Sequence, residues 1–250
     1  TGGDSKTSYF IGGSYFNQKG IVLASNFKRY SARINVEHAV TSFIKAGVNT
    51  TLSYTDQNTP AGAGGAANPI RFSEIVASVY PLYQLDADGN PIPDPTGDGF
   101  LYDYNAPLVK DYNPLGLAKH NIYRGKTVRG IFSPYVEVSF LKNFKFKTLG
   151  GVDYFGISET QYYNSDHGDG TSVQGRTVRY RPRNLDLTLT NTLSYDRQFG
   201  DHGVSVMVGQ EALNQTYENN SLNGTTFPFN GIYELNAAAT PVDVGTSTTE

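Results

Sequence analysis

The sequence predicts an all-β chain: a partial antiparallel transmembrane β-barrel segment of about seven strands, with short periplasmic turns and long extracellular loops. Three observations carry this. Apolar residues return at every second position over repeated stretches, the period of a strand with one apolar face. No run of roughly 18 apolar residues occurs and mean hydropathy is -0.40, which excludes helical spans but not spanning strands, whose apolar residues are only alternate ones. Short and long connections alternate along the chain, as they do between the two rims of an up-and-down barrel.

The elements follow in order. Ser8 to Gln18 is an aromatic-rich strand that breaks at Lys19 and Gly20. In the next strand Tyr30, Ala32, Ile34 and Val36 alternate with Arg29, Ser31, Arg33, Asn35 and Glu37. After HAVTSF, Ile44, Ala46, Val48, Leu52 and Tyr54 alternate with Lys45, Gly47, Asn49, Thr51 and Ser53. Residues 56–124 hold the turn-forming clusters TPAGAGGAANP, DADGNPIPDPTGDG and NPLG and read as one long extracellular loop. Within it RFSEIVASVY could form a short helix. Val128, Phe132, Val136, Val138 and Phe140 then share one side of a strand, and LKNF turns the chain into KFKTLGGVDYFG. Residues 157–183 read as a second long loop. Leu185, Leu187, Leu189 and Leu193 mark another strand, and DRQFGDHG leads into VSVMVGQEALNQ. The chain ends in the polar run GTSTTE, and it reads as a piece of something longer.

Phe27, Tyr54, Phe140, Phe144, Tyr154 and Tyr195 stand near strand ends, where aromatic girdles would meet lipid headgroups. A soluble sheet would also alternate, with its aromatics in a core. The polar faces favour lipid on the other side, because they carry Thr, Ser, Asn, Gly and a few Arg where a solvent-exposed sandwich face is usually rich in Lys and Glu.

Composition closes other routes. Net charge is -3, so no broad basic surface points to nucleic acid. With Cys 0 there are no disulfides, thiolate metal sites or cysteine nucleophiles. His38, His120, His167 and His202 lack the spacing of a helical metal pair, no G-x-S-x-G occurs, and no metal, cofactor or catalytic residue is assigned: the chain reads as no enzyme. DADGNPIPD, Asp86 to Asp94, could offer oxygens to Ca²⁺, but it lacks the closing Glu of an EF-hand loop, and an ordinary Asp-Gly turn is the plainer reading. Gly62 to Ala67, GAGGAA, has no strand-to-helix context and reads as flexible loop. Tyr80, Tyr83, Tyr102, Tyr104 and Tyr112 cluster with Asp and Asn in the long loop, the mixture that a sugar ring or peptide backbone needs. The same tyrosines could instead pack the loop onto itself or onto a partner.

The entry GGDSKTSYF, the turn YFNQKGI and the strand FKRYSARIN, with SVYPLYQLDADGNPIPD and NPLGL in the long loop, resemble the barrel of the SusC/RagA family of TonB-dependent outer-membrane transporters of Bacteroidetes. The likeness is densest over Thr1 to Thr55 and weaker after Asp166. It implies a location in the outer membrane of a Gram-negative bacterium and a barrel of about 22 strands around a plug. It also implies import of glycans, or in some members peptides, with a SusD-like lipoprotein as lid and TonB supplying energy. On this reading residues 1–250 are one part of the barrel domain, and the plug, the TonB box and the remaining strands lie outside it. A passive porin or structural barrel, and a soluble β-rich adhesin or binding module, are the alternatives.

Overall fold

The computed structural model describes residues 1–62, 64–95 and 99–249; Ala63 of the glycine-rich run and residues 96–98 of the TGDG turn lie outside the described residues. One antiparallel sheet is built from β1 (Gly2–Gly3), β2 (Thr7–Lys19), β3 (Asn26–Ala39), β4 (Ile44–Asn58), β5 (Ile122–Phe140), β6 (Phe144–Tyr163), β7 (Arg176–Tyr180), β8 (Arg183–Phe199), β9 (His202–Thr225) and β10 (Thr240–Thr249). Two short helices, α1 (Pro69–Ile75) and α2 (Pro114–His120), lie in the connection between β4 and β5.

β7 and β8 are two parts of one strand. Both hold one register against β6, from Tyr163↔Arg176 to Phe144↔Tyr195, and one against β9. The break falls at Pro182, which has no N–H to give to the ladder. Around it the ladder closes through Ile157 N–H on the Pro182 carbonyl (2.9 Å) and Arg181 N–H on the Asn220 carbonyl (2.8 Å). From β2 onward the chain is therefore a simple meander in which every neighbour in sequence is a neighbour in the sheet. The turns at 40–43, 141–143 and 200–201 share one end; the connections at 59–121, 164–175 and 226–239 share the other. The link 20–25 is short but belongs to the loop end.

Register places the alternation of the sequence on two continuous faces. Tyr15↔Tyr30↔Tyr54, Ile11↔Ile34, Leu52↔Gly130, Phe132↔Val152↔Leu187 and Leu193↔Val208 stand on one face. Among the described residues nothing covers this face between its aromatic rows: Ile11 is 65% exposed, Leu52 50%, Leu189 47% and Val208 68%. Most of the buried apolar residues, Phe72, Ala106, Val109, Leu117 and Phe227 among them, lie instead in the connections at the loop end, with Tyr162 and Val178 in the strand segments beside them. A sandwich would hide such a face under a second sheet; this face has no second layer and suits lipid.

Aromatic rows bound the face at both ends. Tyr15, Tyr30 and Tyr54 follow one another at 5.0 and 6.3 Å, and at the turn end Phe140, Phe144 and Tyr195 do so at 5.6 and 4.8 Å. Along β6, Tyr154 and Phe144 are about ten residues apart, roughly 34 Å of strand, which a tilt of about 40° reduces to about 26 Å, the height of the apolar band of an outer-membrane barrel. Phe27 does not belong to the girdle. It pairs with Gln18 and Gln57 on the opposite face, 6.1 Å from Phe16, and its apolar side chain at a strand end carries no mark of which face it takes. The opposite face is polar and cross-linked: Arg129 meets Asp153 at 2.7 Å, Tyr135 donates to Glu37 at 2.5 Å, and Lys145 lies 3.5 Å from Glu137.

The strands run further than their alternation. The first long connection spans 59–121 rather than 56–124. About half of 157–183, read from sequence as loop, is strand, since β6 continues to Tyr163 and β7 fills Arg176–Tyr180. β10 occupies the polar C-terminal run and pairs with β9 from Thr240↔Thr225 to Thr249↔Tyr217. The reason is common to all three. Beyond the apolar band neither face meets hydrocarbon, so the ladder hydrogen bonds persist while the apolar alternation that reveals a strand in sequence disappears.

Candidate functional site

The long connection is ordered by its own polar residues. Asn68 caps α1, accepting from Ile70 and Arg71 N–H at 3.0 and 3.2 Å, with Pro69 as the first helical residue. The helix read in RFSEIVASVY is thus present but begins at Pro69 and ends at Ile75. Asn113 caps α2 in the same way, accepting from Leu115 and Gly116 N–H at 3.0 and 3.2 Å. NPLG, read as a turn, is a helix start, because Asn before Pro serves as N-cap and first residue as readily as it starts a turn.

Between the helices the chain folds into a small antiparallel platform through the bridges Tyr83↔Tyr102, Leu85↔Pro91 and Pro93↔Phe100. Asp86 closes its tip, accepting from the N–H groups of Asp88 (3.0 Å) and Asn90 (2.8 Å), with Gly89 at φ +84°. The Asn90 N–H, foremost among these donors, holds the Asp86 carboxyl below its ordinary value. That is the bonding of an Asp-Gly turn, and among the described residues no group of three His, Asp or Glu side chains converges as a metal set.

The five tyrosines are not one surface. Tyr83 packs on Tyr102 (5.6 Å between ring centres) and Phe100 (5.5 Å) on the platform, and Tyr80 is exposed at its approach. Tyr104 stacks flat on His167 of the 164–175 connection, 3.4 Å between centres. Tyr112 donates to Asp169 Oδ1 at 2.5 Å, and that bond pushes its hydroxyl pKa up to about 12. Asp111, at φ +72°, binds His167 Nδ1 (3.0 Å) and Gly168 N–H (3.1 Å). Below them Asn121 Oδ1 accepts from the backbone and side chain of buried Asn164 at 2.8 and 2.7 Å. Two connections far apart in sequence are thus clasped together.

The clasp leaves a cavity of about 170 Å³ walled by Tyr102, Tyr104, Asp94, Asp166, His167 and Asn230. Asn230, from the 226–239 connection, accepts from Ser165 N–H and Oγ–H, both at 2.7 Å, and donates to Asp166. Aromatic rings beside carboxylate, amide and imidazole groups can stack on a ring or flat amide and hydrogen-bond its edges. Of the five tyrosines read from sequence as substrate-binding candidates, Tyr102 and Tyr104 line this cavity; His167, Asn164, Asp166 and Asn230, which line it with them, are lone polar residues in loops with no local pattern to mark them.

Tyr112→Phe is expected to loosen the clasp by about 1 kcal/mol, the net worth of an ordinary hydrogen bond, since solvent beside the partly exposed pair screens the extra gain from the charged acceptor. Faster amide exchange confined to 164–175 would report it; unchanged exchange there would show that Tyr112 does not hold the connection.

The fold and this loop arrangement define a segment of a transmembrane β-barrel whose large connections gather at one end. No family model matches the chain. It is 28% identical to TonB-dependent receptor P3 of Formosa agariphila over 84% of this chain and 20% of that receptor, and 24% identical to TonB-dependent receptor P26 of the same organism over 84% and 20%. A chain of the RagAB peptide transporter superposes with a TM-score of 0.71 at 20% identity, covering 99% of this chain and 28% of that one. The chain is thus similar to a barrel segment of TonB-dependent receptors and shares the fold of a RagAB chain, and it spans about a fifth of the length of the curated relatives it matches.

Proposed function

We propose that residues 1–250 form part of the barrel domain of an outer-membrane importer that takes up a glycan or a peptide with energy from TonB, beneath a SusD-like surface lipoprotein. The observation that carries the reading is the uncovered apolar face bounded by two aromatic rows, with every large connection beyond one of them. An uncovered face of that size has no place in a soluble adhesin. The names of the curated relatives support energy coupling, which would run through a plug and TonB box elsewhere in the protein. RagAB, a structural neighbour, is a peptide transporter, and this supports the peptide arm. No step of the reading is enzymatic.

In this reading the platform and cavity at the loop end meet the substrate. Tyr80, Tyr83 and Tyr102 offer ring faces, Tyr104 lines the cavity, and Tyr112 contributes chiefly by holding the loop. The test is deletion of the gene and growth on glycans or peptides as the only source, with and without TonB. Growth lost on one class and equally lost without TonB is the expected result. Uptake that persists without TonB would reveal a passive pore. Tyr83→Ala with Tyr104→Ala in the full-length transporter is expected to weaken apparent affinity about tenfold, from about 1.4 kcal/mol for the two lost aromatic contacts together; unchanged uptake would remove these rings from the substrate path.

A further inference from the structure

We propose that the lipid side of the sheet, just beyond its aromatic row at the loop end, binds the phosphate of a membrane lipid headgroup. The proposal rests on the membrane reading above. Register continues the outward face past Tyr54 and Val128 to Asp56↔Lys126 and Asn58↔Arg124, and across the sheet through Lys126↔Ser158 and Thr160↔Arg179. Arg181 follows on the same side. Two to four residues along a tilted strand raise these groups by about 5–10 Å above the aromatic row, the depth of a headgroup layer.

The band is basic in a chain whose net charge is -3. Arg124, Lys126, Arg179 and Arg181 line a cavity of about 250 Å³ with Ser158, Thr160, Tyr233 and a single acid, Glu234. Arg124 is paired with Asp56 and Arg179 with Glu234, at 2.6 Å for the second. Among the described residues no acid pairs with Lys126 or Arg181, and the buried Nε of Arg179 has no acceptor. Asp56 stands opposite Lys126 in the ladder but is bonded to Arg124, so the cavity offers an incoming oxyanion two cations outside any ion pair, a vacant guanidinium N–H and the hydroxyls of Ser158, Thr160 and Tyr233. Its position decides the source of the anion. On the outward side of a spanning strand, at headgroup height, the neighbours are lipids, and a protein ligand would have to displace them. Lys and Arg at this depth attract anionic headgroups, and guanidinium and hydroxyl donors suit phosphate oxygens.

The experiment uses the full-length protein carrying this segment, placed in nanodiscs with phosphorylated lipid A or its dephosphorylated form, and reads retained lipid by native mass spectrometry. Phosphorylated lipid A should be retained, and Lys126→Ala with Arg181→Ala should lower its retention about 30-fold, while Lys126→Arg should retain it. Equal retention of the dephosphorylated lipid, or no loss in the double variant, would overturn the proposal. Displacement by millimolar inorganic phosphate alone would assign the cavity to a free anion and overturn it too. A protein that inserts and binds no lipid A refutes this inference alone; one that does not enter a bilayer refutes the membrane reading beneath it.

Discussion

Leu189→Arg in the full-length protein is expected to cost about 2–4 kcal/mol of folding stability in a bilayer, the range for a cation at the midplane of a barrel's lipid face. Leu189 is 47% exposed and pairs with Gly150 and Ala212, midway between the aromatic rows that Tyr154 and Phe144 mark on the adjacent strand. Thr190, the next residue, points to the other face, where its hydroxyl donates to Glu211 at 2.9 Å. An arginine there would meet that carboxylate in a polar setting, so Thr190→Arg should change stability by less than about 1 kcal/mol. Urea unfolding from lipid vesicles measures both. Equal effects at the two positions would mean that the apolar face does not meet lipid, and the barrel assignment would fall with it.

Asn113→Ala should release the loop platform. Asn113 is fully buried, and its side chain does four things at once. Its oxygen caps α2 through two backbone N–H groups, and its Nδ2 donates to the carbonyls of Leu82 and Asp103, both at 2.8 Å. Alanine would remove the cap, at about 1 kcal/mol, and take the amide donor from both carbonyls, of which that of Leu82 keeps the Asp103 N–H, at about 1 kcal/mol more. The barrel strands take no bond from Asn113, so the effect should stay local. Amide exchange across 80–121 should rise more than tenfold and proteolysis should begin there, while exchange in β3 and β4 stays as in the parent. Protection retained across 80–121 would show that the platform is held by its aromatic packing instead.

The two expectations differ in how well the sequence foretells them. Leu189 and Thr190 could be assigned to opposite faces from LDLTLTNTL alone, and the register agrees. Asn113 could be read only as one half of an Asn-Pro turn signal; that its amide spans two strands of a platform is invisible locally. Phe27 shows the same limit inside a strand: at the edge of the apolar band an aromatic residue is admitted on either face, so its type does not reveal its side.

By itself the sequence determined the spanning strands, the apolar face of those with clean alternation, such as the strands of Ile34, Leu52, Phe132 and Leu189, and the end at which the large connections gather. It could do so because a bilayer rewards an apolar residue at every second position over the whole crossing and punishes a break, which leaves a periodic record in the chain. Only the tertiary structure decided that 157–163, 176–180 and 240–249 are strand, that Tyr112 clasps Asp169 while Tyr83 packs on Tyr102, and that scattered Arg and Lys residues gather beyond the aromatic row. Those features depend on ladder bonds outside the hydrocarbon and on single contacts between residues tens of positions apart, and neither requirement repeats along the chain.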